Sequence, residues 1–425
     1  MKDTKYILND NTLYDYHRIQ EKLTRMAAEG WHLEKFTNLF WKFRRGEPKE
    51  VRYEITYSAA ASAYNSRPTE AEVELADLCA QAGWTLAASY AQVQIYRNED
   101  PNATPLETDE VQKFENLRRN MIKHFIPQHF WMILLFSVQF LMHGSSTLRD
   151  PAARLSSSML VLVLIGCAGL VIEYGCILVN DLLWLRSAGR AVEVGQTIPP
   201  NGFHRKFRWV MGASTVIFLL GLLFLTKPAY ALSVLILTPV MLVSTLGTLA
   251  ITKKLNASRQ VNIWVPALVT LVIILASRPM LSAVVTPAET PAELPLTLSQ
   301  LTGRKGDPLT IGVDSSPLVS YGRYYDFGAM NEIQYTLVDI HCPLFYDMIL
   351  NDMEQDFIRY SYWGDAIIPD ELRELIGADY LRRTTSHLLE DRWFICWEDH
   401  ILLLYADWTL TEDQIATLVE TLKPQ

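Results

Sequence analysis

The chain has 425 residues, of which 49% are hydrophobic and 20% charged, and its formal net charge is −9. These values exclude a disordered chain, a collagen-like repeat and a small disulfide-rich protein, and the length predicts two or three domains. The charge is unevenly distributed. Residues 1–125 carry 17 basic and 19 acidic side chains (net −2), residues 126–280 carry 12 and 4 (net +8), and residues 281–425 carry 9 and 24 (net −15). Such asymmetry predicts that parts of the chain lie in different environments.

Residues 1–120 contain an internal repeat with an offset of 53 residues. The segment Met-Ala-Ala-Glu-Gly-Trp-His-Leu at 26–33 aligns with Cys-Ala-Gln-Ala-Gly-Trp-Thr-Leu at 79–86. Each copy predicts a strand, an amphipathic helix that ends at glycine, and two further strands. We therefore expect one α+β domain made of two βαββ units that share a core. We interpret Trp31 and Trp84 as packing over the helix ends and favour this structural role over a binding role.

The same segments resemble a known family. The segment at 26–33, the run Phe-Arg-Arg-Gly-Glu-Pro-Lys-Glu-Val-Arg-Tyr-Glu at 43–54 and the later Ile-Tyr-Arg at 95–97 look like the bacterial membrane proteins catalogued as domain of unknown function 2812. The resemblance covers about residues 5–125 and, in general layout, the apolar segments that follow. Members of this family often lie beside PadR-type transcriptional regulators. The resemblance therefore implies a regulatory or stress-response setting in Gram-positive bacteria, and a cytoplasmic protein partner.

The segment 41–52 carries five basic residues beside aromatic side chains, which is a pattern found on nucleic-acid surfaces. Glu47 and Glu50 dilute this charge, and the domain as a whole is net negative. We interpret the segment as a solvated strand face and expect no nucleic-acid partner.

The middle of the chain, residues 121–282, contains five apolar runs. Crossing the hydrocarbon core takes about 20 residues in a helix, which these runs reach with their flanks. The predicted helices lie at about 127–143, 159–183, 209–226, 229–251 and 261–281. The first is the weakest, because its apolar core is short and contains Gln139. Basic clusters before the first run and after the second and fourth runs fall on one side only if all five runs span the bilayer.

The positive-inside rule places these basic clusters in the cytoplasm. The sequence therefore predicts a multi-pass protein of the plasma membrane, with a cytoplasmic N-terminus and an extracytoplasmic acidic C-terminal region. Residues 1–30 have no apolar stretch typical of a signal peptide, in agreement with this orientation.

Three polar residues of the second apolar run, Glu173, Asn180 and Asp181, are the intramembrane candidates. A charge near the centre of a span costs at least ~2.5–3.5 kcal/mol on insertion scales, so Glu173 needs an explanation. One interpretation is a relay or coupling site, and the other is a hydrogen-bonded carboxyl that fixes helix packing. The expected partner is a hydroxyl group of Ser214, Thr215, Ser244, Thr245 or Thr248.

Residues 283–300 are rich in Pro, Thr, Ala and Glu and predict a linker. An acidic α+β domain should follow at 301–425. Its clearest signals are two apolar strands around the turn Glu398-Asp399 and a capping box that begins the last helix at Thr411.

This region holds two weaker candidate sites. Cys342 and Cys396 would lie outside the cell, where a disulfide is permitted, but two buried free thiols explain them equally well. Asp339 and His341 alternate on one predicted strand face, as two metal ligands could, although a solvated strand end also explains them. We expect no cofactor, because no catalytic or nucleotide-binding motif is found.

These features favour a membrane-bound sensor or regulator that binds a cytoplasmic protein and reads the outside through its C-terminal domain. The alternatives are a transporter, or an accessory subunit of one, that uses Glu173, and a membrane-bound enzyme with its site in the outer domain. The sequence identifies no small-molecule ligand.

Overall fold

The computed structural model describes residues 3–9, 15–37, 40–58, 60–100, 102–107, 109–285, 294–360, 365–385 and 390–424. Contacts divide the chain into two compact units. One unit consists of Met1–Ser137, Ala168–Ile217 and Val234–Arg278, and the other of Val138–Cys167, Phe218–Ser233 and Pro279–Gln425. The first contains the N-terminal domain and the second the C-terminal domain.

The N-terminal domain contains two copies of the predicted βαββ unit. The first copy is β1 (Thr4–Leu8), α1 (Tyr16–Ala28), β2 (Trp31–Phe36) and β3 (Phe40–Arg45). The second is β4 (Arg52–Tyr57), α2 (Glu70–Gln81), β5 (Thr85–Tyr90) and β6 (Val93–Asn98). Each copy forms a three-stranded antiparallel sheet, and the orders β1-β3-β2 and β4-β6-β5 are equivalent. The internal repeat is therefore confirmed at the level of topology.

Local irregularities repeat as well. The register of β2 shifts between Leu33 and Lys35, and that of β5 shifts between Leu86 and Ala88, exactly one repeat later. The glycines that end α1 and α2, Gly30 and Gly83, both have a φ of +82°. A residue without Cβ is favoured there, because other L-residues are strained at positive φ.

Five helices of the membrane block are long and apolar enough to cross a bilayer, as predicted. They are α4 (Ile126–Arg149), α6 (Ser158–Glu193), α7 (Phe203–Leu225), α8 (Pro228–Lys254) and α9 (Arg259–Val285). Helix α3 (Glu110–Asn120) continues through a π-helical turn (Met121–Phe125) directly into α4. A short helix, α5 (Pro151–Leu155), joins α4 to α6. The helices extend beyond the predicted apolar runs, because a helix continues into its polar flanks as long as its backbone stays hydrogen-bonded.

The C-terminal domain has one six-stranded antiparallel sheet of order β10-β11-β12-β9-β8-β7. Its strands are β7 (Asp307–Ser315), β8 (Val319–Phe327), β9 (Glu332–Ile340), β10 (Tyr380–Thr385), β11 (Asp391–Trp397) and β12 (His400–Ala406). Its helices are α10 (Leu298–Thr302), α11 (Tyr346–Tyr360), α12 (Asp370–Ile376) and α13 (Glu412–Leu422).

Each face of this sheet has its own core. Alternate residues such as Trp393 and Leu402 pack with α10, α12 and α13 on one face. The residues between them, such as Phe394 and Ile401, pack with α11 and α5 on the other. The buried Leu296, which precedes the predicted start of the domain at residue 301, lies in the first core. Residues 286–293, the larger part of the predicted linker, lie outside the described residues.

Candidate functional site

The core of the N-terminal domain extends onto the last turns of α6. Trp184, Ala188 and Val192 of α6 are buried in the same hydrophobic cluster as Ile19 and Leu23 of α1. The domain is therefore packed directly on a membrane-spanning helix, without a flexible connection. The burial of several large apolar side chains makes this contact a stable part of the fold.

Hydrogen bonds fix the same domain to the loop between α6 and α7. Nε2 of His17 lies 3.0 Å from the carbonyl oxygen of Ile198, and the amide of Ile198 donates to the carboxylate of Glu110 at 3.4 Å. The indole of Trp184 donates to the carbonyl of Pro199 at 2.9 Å. The loop thus follows the surface of the domain on one side and the end of α6 on the other.

A second attachment holds the loop between α8 and α9. The side-chain amide of Asn262, which is fully buried, donates to the carbonyl of Tyr64 at 2.8 Å and to the hydroxyl of Ser66 at 2.9 Å. The hydroxyl of Ser66 in turn donates to the carbonyl of Ala257 at 2.6 Å. The N-terminal domain is therefore fixed to two loops of the membrane block. A change in the arrangement of the helices would alter the contacts between these loops and the domain.

A polar cluster lies next to this docking region, on α6. The carboxylate of Asp181 is completely buried, and Nε2 of His129 lies 3.7 Å from it. The amide of Asn180 donates to Asp181 at 3.4 Å and to Asn201 at 3.3 Å. Asn201 also accepts a hydrogen bond from the backbone of Phe203, where α7 begins. A buried carboxylate needs polar partners, and those of Asp181 come from other elements. The cluster therefore connects α6 with α4 through His129 and with the start of α7 through Asn201.

The sequence predicted two members of this cluster, Asn180 and Asp181, but missed His129 and Asn201. His129 immediately precedes the apolar core of the first predicted span, and Asn201 follows two prolines in a loop. Neither has a periodic pattern that links it to α6. The only available signal was that a polar pair within a span requires partners from neighbouring helices.

Glu173 lies deeper along α6. Its side chain is buried and contacts the hydroxyl of Ser214 on α7 at 2.5 Å, so one of the expected hydroxyl partners is found. The Ser214 hydroxyl also lies 2.9 Å from the carbonyl of Met211. A hydroxyl has one proton, so either Ser214 donates to Glu173, or it donates to Met211 and a neutral Glu173 donates to Ser214.

The structure separates Glu173 from the other two intramembrane candidates. Asn180 follows Glu173 by seven residues, which corresponds to roughly 10 Å along a helix. Its amide bonds with Asp181 and Asn201, whereas Glu173 bonds with Ser214. Two distinct polar contacts therefore connect α6 with α7, one deep and one next to the N-terminal domain.

In the C-terminal domain, Asp339 and His341 have different partners. Asp339 lies 3.4 Å from Nε2 of His400, whose Nδ1 lies 2.6 Å from Asp399. His341 instead approaches the hydroxyl of Ser320 at 3.3 Å. Within the described ranges of the chain, no group of three or more His, Cys, Asp or Glu side chains could hold a metal ion.

Cys342 and Cys396 are both free thiols in the structure. Cys396 is buried on β11, where its sulfur lies 3.8 Å from the hydroxyl of Tyr346, and Cys342 is half-buried after β9. Burial raises the pKa of Cys396 to about 11, so this group stays protonated at neutral pH. Thiolate chemistry at Cys396 is correspondingly disfavoured.

The five apolar helices and the folded domains before and after them define a multi-pass membrane protein. The model of the family described as protein of unknown function (DUF2812) matches residues 15–130, from the residue before α1 to the first turns of α4. The N-terminal domain thus carries the pattern of that family, as the resemblance in the sequence suggested. No curated protein and no solved structure matches the chain.

Proposed function

We propose that this protein is a signal-relay component of the plasma membrane, with its N-terminal domain in the cytoplasm and its C-terminal domain outside. Five spans are an odd number, so domains before and after them would face opposite sides. The loops that contact the N-terminal domain follow α6 and α8, and basic residues flank both loops, including Arg186, Arg190, Lys253 and Lys254. The positive-inside rule favours the cytoplasm for these loops and for the domain attached to them.

The observation that carries the relay is the attachment of the N-terminal domain to both loops. The apolar contact with Trp184 and Ala188 and the hydrogen bonds of Asn262 connect the domain to α6 and α9. A signal that moves these helices would therefore change the position or exposure of the domain surface. Coupling of this kind needs two states with different contacts, and the loop contacts are the ones that would differ.

The second repeat provides a surface for a protein partner. Leu78 and Leu86 are 58% and 45% exposed, whereas Leu33, the residue equivalent to Leu86 in the first repeat, is 6% exposed. Contiguous exposed apolar patches are typical of partner-binding surfaces, and we propose that Leu78 of α2 and Leu86 of β5 belong to one such patch. A PadR-type regulator is the partner that the family resemblance implies.

Capture of a co-expressed PadR-type regulator by the full chain tests this proposal. We expect the wild-type protein to retain the regulator and the variant with Leu78→Ser and Leu86→Ser to lose it. Tyr6→Ser, which changes an exposed aromatic residue of the first repeat, is the matched control and should leave capture unchanged. Equal capture by all three proteins, or none by the wild type, would count against the proposed partner.

A second candidate function, proton-coupled transport, rests on the buried contact between Glu173 and Ser214. Glu173→Gln keeps the size and the hydrogen bond of the side chain but cannot exchange a proton. Loss of a transport phenotype in this variant, with unchanged expression and melting temperature, would favour transport. An unchanged phenotype would leave Glu173 with a packing role.

A further inference from the structure

One face of the C-terminal sheet packs on α5, the short helix between two spans. Ala152 and Leu155 of α5 are buried in the same cluster as Val319 and Val338 of the sheet. The hydroxyl of Ser316 donates to the carbonyl of Leu155 at 2.6 Å. Because α5 connects α4 to α6, this face of the sheet lies next to the membrane boundary.

The edge strand β7 meets a second connection between spans. Lys227 lies between the last residue of α7 and the first residue of α8. Its ammonium group lies 3.3 Å from the carboxylate of Asp314 and 3.4 Å from the carbonyl of Val313. A lysine at the end of a span keeps its charge in the interface, so it marks the level of the lipid headgroups. Val313 is therefore at the same level.

Two aliphatic side chains are exposed at this end of β7. Ile311 is 49% and Val313 46% exposed, and the register shift between Ile311 and Asp314 leaves Val313 outside the strand pairing. Gly312, with a φ of +72°, permits this bulge. Exposed β-branched residues on an edge strand promote aggregation in water unless something covers them.

The residue opposite Ile311 in the register is Arg323 on β8. Three other arginines of the domain pair with carboxylates, although the region 281–425 is net −15. Arg323 instead lies 5.9 Å from the ring of Tyr321 and hydrogen-bonds with Tyr325. The carboxylate of Asp150 attracts its charge, but Arg323 makes no ion pair with a described residue. It also lines a cavity of about 670 Å³, whose other charged lining residues are Arg392, Glu332 and Asp356. Its guanidinium can therefore donate hydrogen bonds to an external oxyanion, because its planar N–H donors match the geometry of phosphate oxygens.

We propose that Ile311, Val313 and Arg323, the β7–β8 patch, lie on the bilayer surface, and that Arg323 binds the phosphate of an anionic phospholipid. The sheet that carries the patch packs on α5 and is paired with Lys227, and both of these connect membrane-spanning helices. This position next to the spans favours a lipid headgroup over a soluble anion. Ile311 and Val313 would then be covered by the interfacial region of the bilayer. The proposed contact between the β7–β8 patch and the bilayer depends on the membrane-spanning helices. It does not depend on the proposed relay function.

The position of the patch can be measured with nitroxides on the full chain in lipid nanodiscs. A ketoxime nitroxide on amber-encoded p-acetylphenylalanine avoids the five native cysteines. A label at Val313 should be more accessible to oxygen than to a water-soluble nickel complex. Ile367, which is 93% exposed in the same domain, is the control and should show the reverse. Equal nickel accessibility at both positions would overturn the membrane contact.

The lipid phosphate is tested by the melting temperature of the full chain in detergent as dioleoylphosphatidylglycerol is added. We expect the lipid to raise the melting temperature of the wild type and of the control variant Arg304→Gln. Arg304 is an exposed arginine of the same domain whose guanidinium donates to the side-chain oxygen of Asn331. Arg323→Gln should lose this shift. An equal shift in Arg323→Gln, or an equal shift with soluble glycerol 3-phosphate, would contradict lipid binding at Arg323.

Discussion

The two repeats of the N-terminal domain share one topology but contact the membrane block in different ways. Helix α1 of the first repeat buries Ile19 and Leu23 in the core that includes the end of α6. Helix α2 of the second repeat belongs to a small separate cluster around Cys79 and Trp84. The strands of the second repeat nevertheless contribute Tyr53, Ile55 and Ile95 to the core that includes the end of α6. The segment around Ser66 adds hydrogen bonds to the loop between α8 and α9. The two copies thus differ in their helices, because α1 packs in the core that includes the end of α6 and α2 packs in a separate cluster.

The two Gly-Trp pairs show the same divergence. Trp84 is almost completely buried and donates its indole N–H to the carbonyl of Thr104 at 3.2 Å, in keeping with a structural role. Trp31 is half-buried, and Lys5 and Arg45 each lie 5.5 Å from its ring. The tryptophan is therefore present in both repeats, but it is buried in the second and lies beside two basic side chains in the first.

The difference between the two repeats is tested most directly by truncating the equivalent leucines, Leu33 and Leu86. Leu33→Ala should destabilise the protein by about 2–5 kcal/mol, because it leaves a cavity in the core shared with α6. Leu86→Ala, at the equivalent exposed position, should change stability by only about 0.5 kcal/mol. The melting temperature of the full chain in detergent measures both. Equal losses would mean that the two repeats are buried alike.

Removing the polar attachment of the second repeat should have a smaller effect. Asn262→Ala leaves the carbonyl of Tyr64 without this donor, at a cost of about 1 kcal/mol. We expect faster hydrogen exchange in residues 60–68, with α1 unchanged. Asn102→Ala, an exposed asparagine, serves as the control. If residues 60–68 exchange no faster in Asn262→Ala, the hydrogen bonds do not hold the loop.

The predictable parts of the fold were those with strong local patterns. The repeat, the five spans, the hairpin around Glu398 and the capping box at Thr411 are all present. Strand β7 was missed because its bulge at Gly312 interrupts the alternation, and β8 because polar and aromatic residues occupy both of its faces. The polar cluster of Asp181 depends on His129, 52 positions earlier, and separations of this kind leave no local signal.

The contact between α6 and α7 gives a still smaller expected effect. Ser214→Ala removes the hydroxyl next to Glu173, and hydrogen bonds between membrane helices contribute about 0.6 kcal/mol on average. Thr215→Ala is the control, because its hydroxyl bonds within its own helix, to Met211. A slightly lower melting temperature for Ser214→Ala alone is expected. A loss as large as that of Leu33→Ala would make this contact, and not the first repeat, the main connection.

The C-terminal domain has a carboxyl group, that of Asp352, which responds to mild acid. Burial, with the nearby carboxylates of Asp356 and Asp150, raises the pKa of Asp352 from 3.8 to about 6. The folded state therefore binds this proton more tightly than the unfolded chain, and its stabilising effect is lost as the pH rises through 6.

We accordingly expect a modest rise in the melting temperature of the wild type between pH 7 and pH 5. Asp352→Asn should give most of this rise already at pH 7 and reduce the pH dependence. Asp347→Asn, on the same helix, is the comparison variant. The same pH dependence in Asp352→Asn and the wild type would exclude Asp352 as its source.

The proposed function requires that the N-terminal domain and the acidic C-terminal domain lie on opposite sides of the membrane. A dual reporter joined to the C-terminus, alkaline phosphatase in one fusion and green fluorescent protein in the other, measures the side directly. We predict an active phosphatase and a non-fluorescent protein fusion, as for an extracytoplasmic C-terminus. A fluorescent fusion with inactive phosphatase would contradict the odd number of spans and, with it, the proposed relay.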